Sequence, residues 1–162
     1  MDTPNDEEQR INWRWQWLSA IQAFADIEVQ RRRWTDPHER NPHYSFVECM
    51  CSYFDDAFMD EENAYDRRVS SGRLSFEEAG VMAQFHSVAE AYKPPEGDYY
   101  ATEAILADPA WQKVVRLAQE AQQRLSQLLT DPAERASLTQ LLEWHEKNGV
   151  YYTGRTGSSY IR

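Results

Sequence analysis

Asp108-Pro109 and Asp131-Pro132 each set an aspartate directly before a proline, and Ser75-Phe76-Glu77-Glu78 spells a capping box. Proline tolerates the first helical position because its missing N–H has no intrahelical partner there, while an aspartate or serine ahead of it accepts from amides the helix leaves orphaned. Three helix starts are therefore marked from residue 75 onward. Apolar residues then recur at three- and four-residue steps: Met82, Phe85, Ala89 and Tyr92 after the first start, Trp111, Val114, Ala118, Ala121, Leu125 and Leu128 after the second. After the third come Leu138, Leu141, Leu142 and His145, up to Asn148-Gly149. That period is helical. Pro94-Pro95 ends the first of these helices, and Thr102 to Ala107 reads as a short helical turn.

The first half follows the same rule. Residues from Asn5 or Asp6 to Trp34 read as one helix, with Asp6, Glu7 and Glu8 in the first turn and Arg31, Arg32 and Arg33 in the last, complementing the helix dipole. Trp13, Trp17, Ile21, Phe24 and Ile27 form its core stripe, but Ile11, Leu18 and Val29 lie on another side, so this helix is buried between layers or touches a partner. Thr35 to Pro42 is a connection. A second helix is expected from His43 or Ser45 to Ser71, with Val47, Met50, Phe54, Ala57, Phe58 and Tyr65 inward and Gly72 as its stop. With 162 residues the chain suits one domain. The expected fold class is all-α, a single-domain bundle of about five helices over residues 1–149, with a flexible or partner-ordered tail over 150–162. A short hairpin centred on Gly154 is the alternative for that tail.

The balance of 27 acids against 17 lysines and arginines gives a net charge of -10, which argues against DNA, RNA or an anionic membrane surface and for a basic partner. The acidic, polar N-terminus has no export signal, and no apolar run approaches the ~20 residues a bilayer demands. Cys49 and Cys51, two apart on a helix, point to nearly opposite sides and cannot pair. Both are expected as reduced thiols in a cytoplasmic protein.

Residues 55 to 66 hold the strongest anomaly, Asp55, Asp56, Asp60, Glu61, Glu62 and Asp66 with no base among them. On a continuous helix Glu48, Asp55, Glu62 and Asp66 would share one stripe, and like charges so placed repel. The expectation is a surface that binds a cationic partner; the alternative is a solvated face neutralised by Arg67, Arg68 or other helices. Trp15 joins the partner-binding set, because its helix already fills its core face with Trp13 and Trp17.

Chemistry finds little support. None of the four histidines has a glutamate three residues before it, as a di-iron bundle requires, and the acidic block lacks the rhythm of a calcium loop. His86 and Glu90 are one turn apart, a weak chelating pair beside a histidine packed at the core edge. No nucleophile elbow, phosphate loop or zinc-spaced set occurs, and Glu48, Asp55 and Asp56 disfavour a thiolate at either cysteine. Arg31 to Trp34 with His38, Arg40 and His43 could hold an anion, but three arginines closing a helix are ordinary dipole complements.

These readings lead to a non-enzymatic acidic binding protein that sequesters a basic protein partner, without metal or cofactor. Small acidic domains lacking catalytic motifs include toxin-neutralising immunity proteins and antitoxins, a likeness of composition only. The runner-up is a helical-bundle enzyme or ligand-binding protein with Glu48, Asp55, Glu62 and His86 around a divalent metal. A homodimer through the second apolar face of the first helix is a third possibility.

Overall fold

The computed structural model describes residues 6–141 in full, together with the backbone of three short strands further on. Residues 1–5, 142–143, 148–149, 154–158 and 162 lie outside that description, and with them the expected cap at Asn5 and the stripe position Leu142.

The first long helix is two. Helix α1 spans Asp6–Ala25 and α2 spans Ile27–Arg33. Asp26 interrupts them with φ -92° and ψ 76°, its carboxylate accepting from the Val29 amide at 3.1 Å. An aspartate side chain competes with the backbone for amides, so it starts a new helix more readily than it continues an old one. The carbonyls near the break are met by Gln30, whose Nε2 donates to Ala23 O at 3.0 Å and Phe24 O at 3.1 Å.

The second expected helix also divides, into α3 (Phe46–Phe54), capped by Ser45, and α4 (Ala64–Ser70). The inner face of α3 is Phe46, Cys49 and Tyr53, while Val47, Met50 and Phe54 are half-buried, so the expected stripe is rotated by one residue, about 100°. Residues 55–63 are not helical. Ala57 and Met59 are both fully buried; a helix turns by about 200° between such positions and could not send both to the same wall. Acids at a helix C-terminus also oppose the dipole, and Asp55 and Asp56 stand where α3 ends.

From Ser75 onward the capping signals hold. Helix α5 (Phe76–Ala91) carries the full capping box, α6 is Thr102–Ala107, and α7 (Pro109–Leu128) and α8 (Pro132–Thr139) begin behind Asp108 and Asp131 with proline at the first position. The last helix stops at Thr139, well short of Asn148. Beyond it β1 (Trp144–Lys147), β2 (Val150–Thr153) and β3 (Ser159–Ile161) pair antiparallel in the order β1-β2-β3. His145 is thus a strand residue opposite Tyr152, not the end of a helical stripe. Asn148-Gly149, read above as a helix stop, is also the strongest signal for a two-residue hairpin connection, and the register pairs Lys147 with Val150 across it. Strands β2 and β3 flank Gly154 to Ser158, where a hairpin was the alternative to a tail.

The fold class is all-α, and every α-helix belongs to one hydrophobic unit. Helix α1 is its axis, packing against α3, α7 and α8, while α7 also holds α5 and α6. Of the apolar residues expected on a second side, Leu18 is completely buried along with Trp17, Ile21 and Phe24, while Ile11 is 37% exposed and Val29, on α2, is half-buried. Trp111 of α7 sits among Phe24, Trp34, Phe46 and Tyr92, with ring centroids 5.2 to 5.9 Å away. Each large side chain so buried contributes roughly 1.5–3 kcal/mol. No helix among the described residues is long and apolar enough to cross a membrane.

Candidate functional site

The segment from Asp55 to Asn63 is irregular but firmly held. Trp13 Nε1 donates to Ala57 O at 2.9 Å, Arg68 Nη2 donates to Phe58 O at 3.2 Å, and the same guanidinium pairs with Glu61 at 3.4 Å while lying 5.4 Å from the Trp13 ring. Between the buried anchors Ala57 and Met59, Phe58 takes φ 58° and stands 56% exposed. Left-handed backbone costs a bulky residue about 1–3 kcal/mol, so surrounding contacts must impose it. The result is an aromatic side chain presented among Asp55, Asp56 and Asp60, all three exposed.

A groove of about 1380 Å³ runs beside this loop. Its floor is one face of α1, with Gln9, Asn12, Gln16 and Ser19 as uncharged polar groups and the buried Ala20 and half-buried Ala23 further along. Gln16 Nε2 donates to Ser52 O at 3.0 Å and ties floor to wall. The wall comes from α3 and the loop, through Glu48, Cys51, Asp55, Asp56 and Glu61. At one end stand Trp34 and Tyr44, the latter with the Arg33 guanidinium 4.4 Å from its ring centroid. Arg68, Arg73 and Leu141 also line the groove.

The fold divides the expected acidic set. Asp55, Asp56 and Glu61 meet in the groove, joined there by Glu48 and, at the helix break, Asp26. Asp60 and Glu62 are exposed outside it, and Asp66 lies exposed in the first turn of α4. The single stripe of Glu48, Asp55, Glu62 and Asp66 does not form, because no helix links α3 to α4. Trp15 is half-buried and in contact with a neighbour. Phe58, expected on the inner face of a helix, is instead exposed on the loop, and the groove floor was not foreseen. The signal available was that Gln9, Asn12, Gln16 and Ser19 recur at helical spacing on a face neither apolar nor charged.

Neither thiol is set up as a nucleophile. Burial pushes Cys49 far up. Cys51 is pushed up to about 11, by burial first, then by its hydrogen bond to Asp55 and the charges of Glu48 and Asp56. His86 is taken by two neighbours, Nδ1 lying 2.9 Å from Tyr53 Oη and Nε2 3.0 Å from a Glu90 oxygen. Among the described residues no three His, Cys, Asp or Glu side chains gather where they could hold one ion, so Glu48, Asp55, Glu62 and His86 are not assembled into a site. Arg33 pairs with Glu39 at 3.6 Å and Arg31 with Glu28 at 3.5 Å.

Fold and groove together define an all-α domain with a long groove walled on one side by carboxylates. The chain belongs to the family described as a domain of unknown function, DUF7945, whose model matches residues 9–133. That span holds the acidic loop and every groove residue named above except Leu141, and leaves out the three strands. No curated protein and no solved structure matches the chain.

Proposed function

We propose that this chain is a non-enzymatic cytoplasmic binding protein that sequesters a basic protein partner on the acidic loop, in the manner of an immunity protein or antitoxin. The observation that carries the reading is Phe58, held out at a left-handed backbone position amid exposed Asp55, Asp56 and Asp60. A rigid aromatic side chain ringed by charge is the pattern of an interface anchor: the ring fills a pocket on the partner, and the carboxylates steer encounter with a cationic surface. Asp60, Glu62 and Asp66 extend that negative field outside the groove; Glu61, held by Arg68, contributes less of it.

The test begins with recovery of a partner by pull-down from the native cell lysate. Asp56→Lys with Asp60→Lys should then slow association and flatten its salt dependence, whereas Phe58→Ala should mainly speed dissociation. A partner whose binding ignores all three substitutions removes the loop from consideration.

A further inference from the structure

We infer that the chain of side chains from Tyr65 through Tyr53 to His86 is a pH-operated latch on the acidic loop, holding it while His86 is neutral and loosening it once His86 is protonated. The inference rests on the functional reading above and adds how the partner is released.

Placement argues first. The loop of residues 55–63 runs between Tyr53, just before it, and Tyr65, just after it. Their hydroxyls lie 2.7 Å apart, so one hydrogen bond closes the base of the loop. Within the loop the Met59 and Asp60 amides turn back to the Tyr53 and Phe54 carbonyls, at 3.4 and 3.1 Å. The far side needs the tie more than the near side does. Helix α4 starts behind Asn63, which sits at φ 55° and gives no side-chain cap, so its first turn draws its support from the buried Ala64 and from Tyr65. Trp17 Nε1 donates to the same Tyr65 hydroxyl at 3.1 Å.

The proton argues second. Tyr53 Oη lies 2.9 Å from His86 Nδ1. With no proton on Nδ1, Tyr65 donates to Tyr53 and Tyr53 to His86, and both hydroxyls are satisfied. A proton there makes Tyr53 an acceptor. Tyr53 must then donate to Tyr65, which already accepts from Trp17, and the Tyr65 proton is left without a partner in the chain. The loss falls on the residue that anchors α4.

Burial links titration to opening. His86 packs against the flanks of the loop itself, with the Tyr53, Phe54 and Tyr65 ring centroids 5.8, 5.9 and 5.2 Å away. Among the described residues the charge that weighs on it is Glu90 of its own helix, which favours the proton, while burial disfavours it and prevails. Helices α3 and α4 face it with Tyr53 and Tyr65, whose pKa values burial pushes up, so both stay protonated. Neither α1 nor α7 brings a charge to it. When the loop swings away, water reaches the imidazole and its pKa returns to about 6.5, so acid favours the open loop.

Amide hydrogen exchange on the full-length protein tests the latch, with rates expressed as protection factors so that the intrinsic pH dependence drops out. Met59 and Asp60 should exchange well before Ala118, which is fully buried on α7, and their protection should fall by up to about tenfold per pH unit below about 6.5. His86→Gln should abolish that fall, and Tyr65→Phe should lower the protection of both amides roughly tenfold at neutral pH. Protection that stays constant as pH falls from about 7.5 to about 5.5 overturns the latch, as does an equal fall in His86→Gln. Loop amides that exchange no faster than Ala118, or a Tyr65→Phe without effect, overturn it too. Over the same pH interval the recovered partner should dissociate faster from the native chain than from His86→Gln, a comparison that cancels titration of the partner itself; equal pH dependence overturns the release role. A partner that ignores Asp56, Asp60 and Phe58 while the amides respond as stated removes the acidic-loop reading and leaves the latch standing.

Discussion

Arg14 and Glu78 meet as a two-pronged pair inside the helical body, Nη1 donating to Oε1 at 3.0 Å and Nη2 to Oε2 at 2.7 Å, with side chains only 5% and 8% exposed. The same guanidinium reaches Glu134 from Nε at 2.6 Å and the Arg73 carbonyl at 2.9 Å. One cation thus joins α1 to α5 and α8. Removing it leaves two carboxylates facing each other in a dry place, so Arg14→Met should cost about 3–5 kcal/mol. Glu134→Gln, at the more exposed member with Arg14 still held by Glu78, should cost about 1.5 kcal/mol. Equilibrium urea unfolding measures both, and equal losses would refute the ranking.

The same pair sets a response to acid. Burial alone would raise the Glu78 pKa, but hydrogen bonds from Arg14 and from the capping box at Ser75, with the Arg14 charge, outweigh it and hold it below the usual value. A carboxylate depressed in the folded state adds stability that is full above its unfolded pKa of about 4.3 and fades as pH falls through the folded value. Stability should therefore drop below about pH 4.5, and the deficit of Glu78→Gln relative to the native chain should shrink over the same interval. A deficit constant from pH 6 to about pH 3 would exclude this assignment.

What the sequence made legible and what it hid follow from the range of the forces. Ser75, Asp108 and Asp131 act within one helical turn, and their helices begin where the residues say. The break at Asp26 is capped locally but its Gln30 is also held by a distant partner, and the loop after Phe54 is anchored by residues distant in sequence. Gln30 receives a hydrogen bond from Trp111, 81 residues on, and Trp13 reaches Ala57 across 44. No local pattern encodes those contacts. The acidic candidates were visible as composition, but their division between groove and open surface was not, because it depends on where α3 stops. At Asn148-Gly149 two local readings competed, and the helical one was carried too far by the Leu138 to Leu142 stripe.

Gln30 offers a clean measure of such long-range polar work. It is 1% exposed, donates to two carbonyls of α1 and accepts from Trp111 Nε1 at 3.0 Å. Gln30→Leu keeps the volume but strands those groups, each worth about 1–3 kcal/mol when left unpaired. Allowing for relaxation, the loss should be about 2–3 kcal/mol with the helical circular dichroism spectrum retained. A neutral outcome would mean that the α1–α2 break does not need its side-chain cap.

Trp17, Tyr65, Tyr53, His86 and Glu90 form a chain of hydrogen bonds in which one direction lets both tyrosine hydroxyls donate. Indole Nε1 can only donate, so Trp17 gives its proton to Tyr65 Oη at 3.1 Å. Tyr65 Oη lies 2.7 Å from Tyr53 Oη, Tyr53 Oη 2.9 Å from His86 Nδ1, and His86 Nε2 3.0 Å from Glu90, and both hydroxyls find an acceptor within the chain when Tyr65 donates to Tyr53, Tyr53 to His86 and His86 to Glu90. That sequence requires the neutral imidazole with its proton on Nε2. Adding a proton at Nδ1 turns Tyr53 into an acceptor and leaves a tyrosine hydroxyl in the chain with nowhere to donate. Burial lowers the His86 pKa, and the opposing charge of Glu90, itself largely in solvent, does not restore it. A base whose folded pKa is depressed contributes stability that is full above its unfolded value of about 6.5 and is lost as pH falls from there towards the folded value. The native chain should therefore lose stability as pH falls below about 6.5, by at most ~1.4 kcal/mol per pH unit. His86→Gln should be less stable at pH 8 yet nearly flat over that range, with imidazole titration followed by NMR as the direct check. A His86 that titrates above about 6.5, or a slope that survives the substitution, would show that the chain runs in the other direction or that another group carries the response.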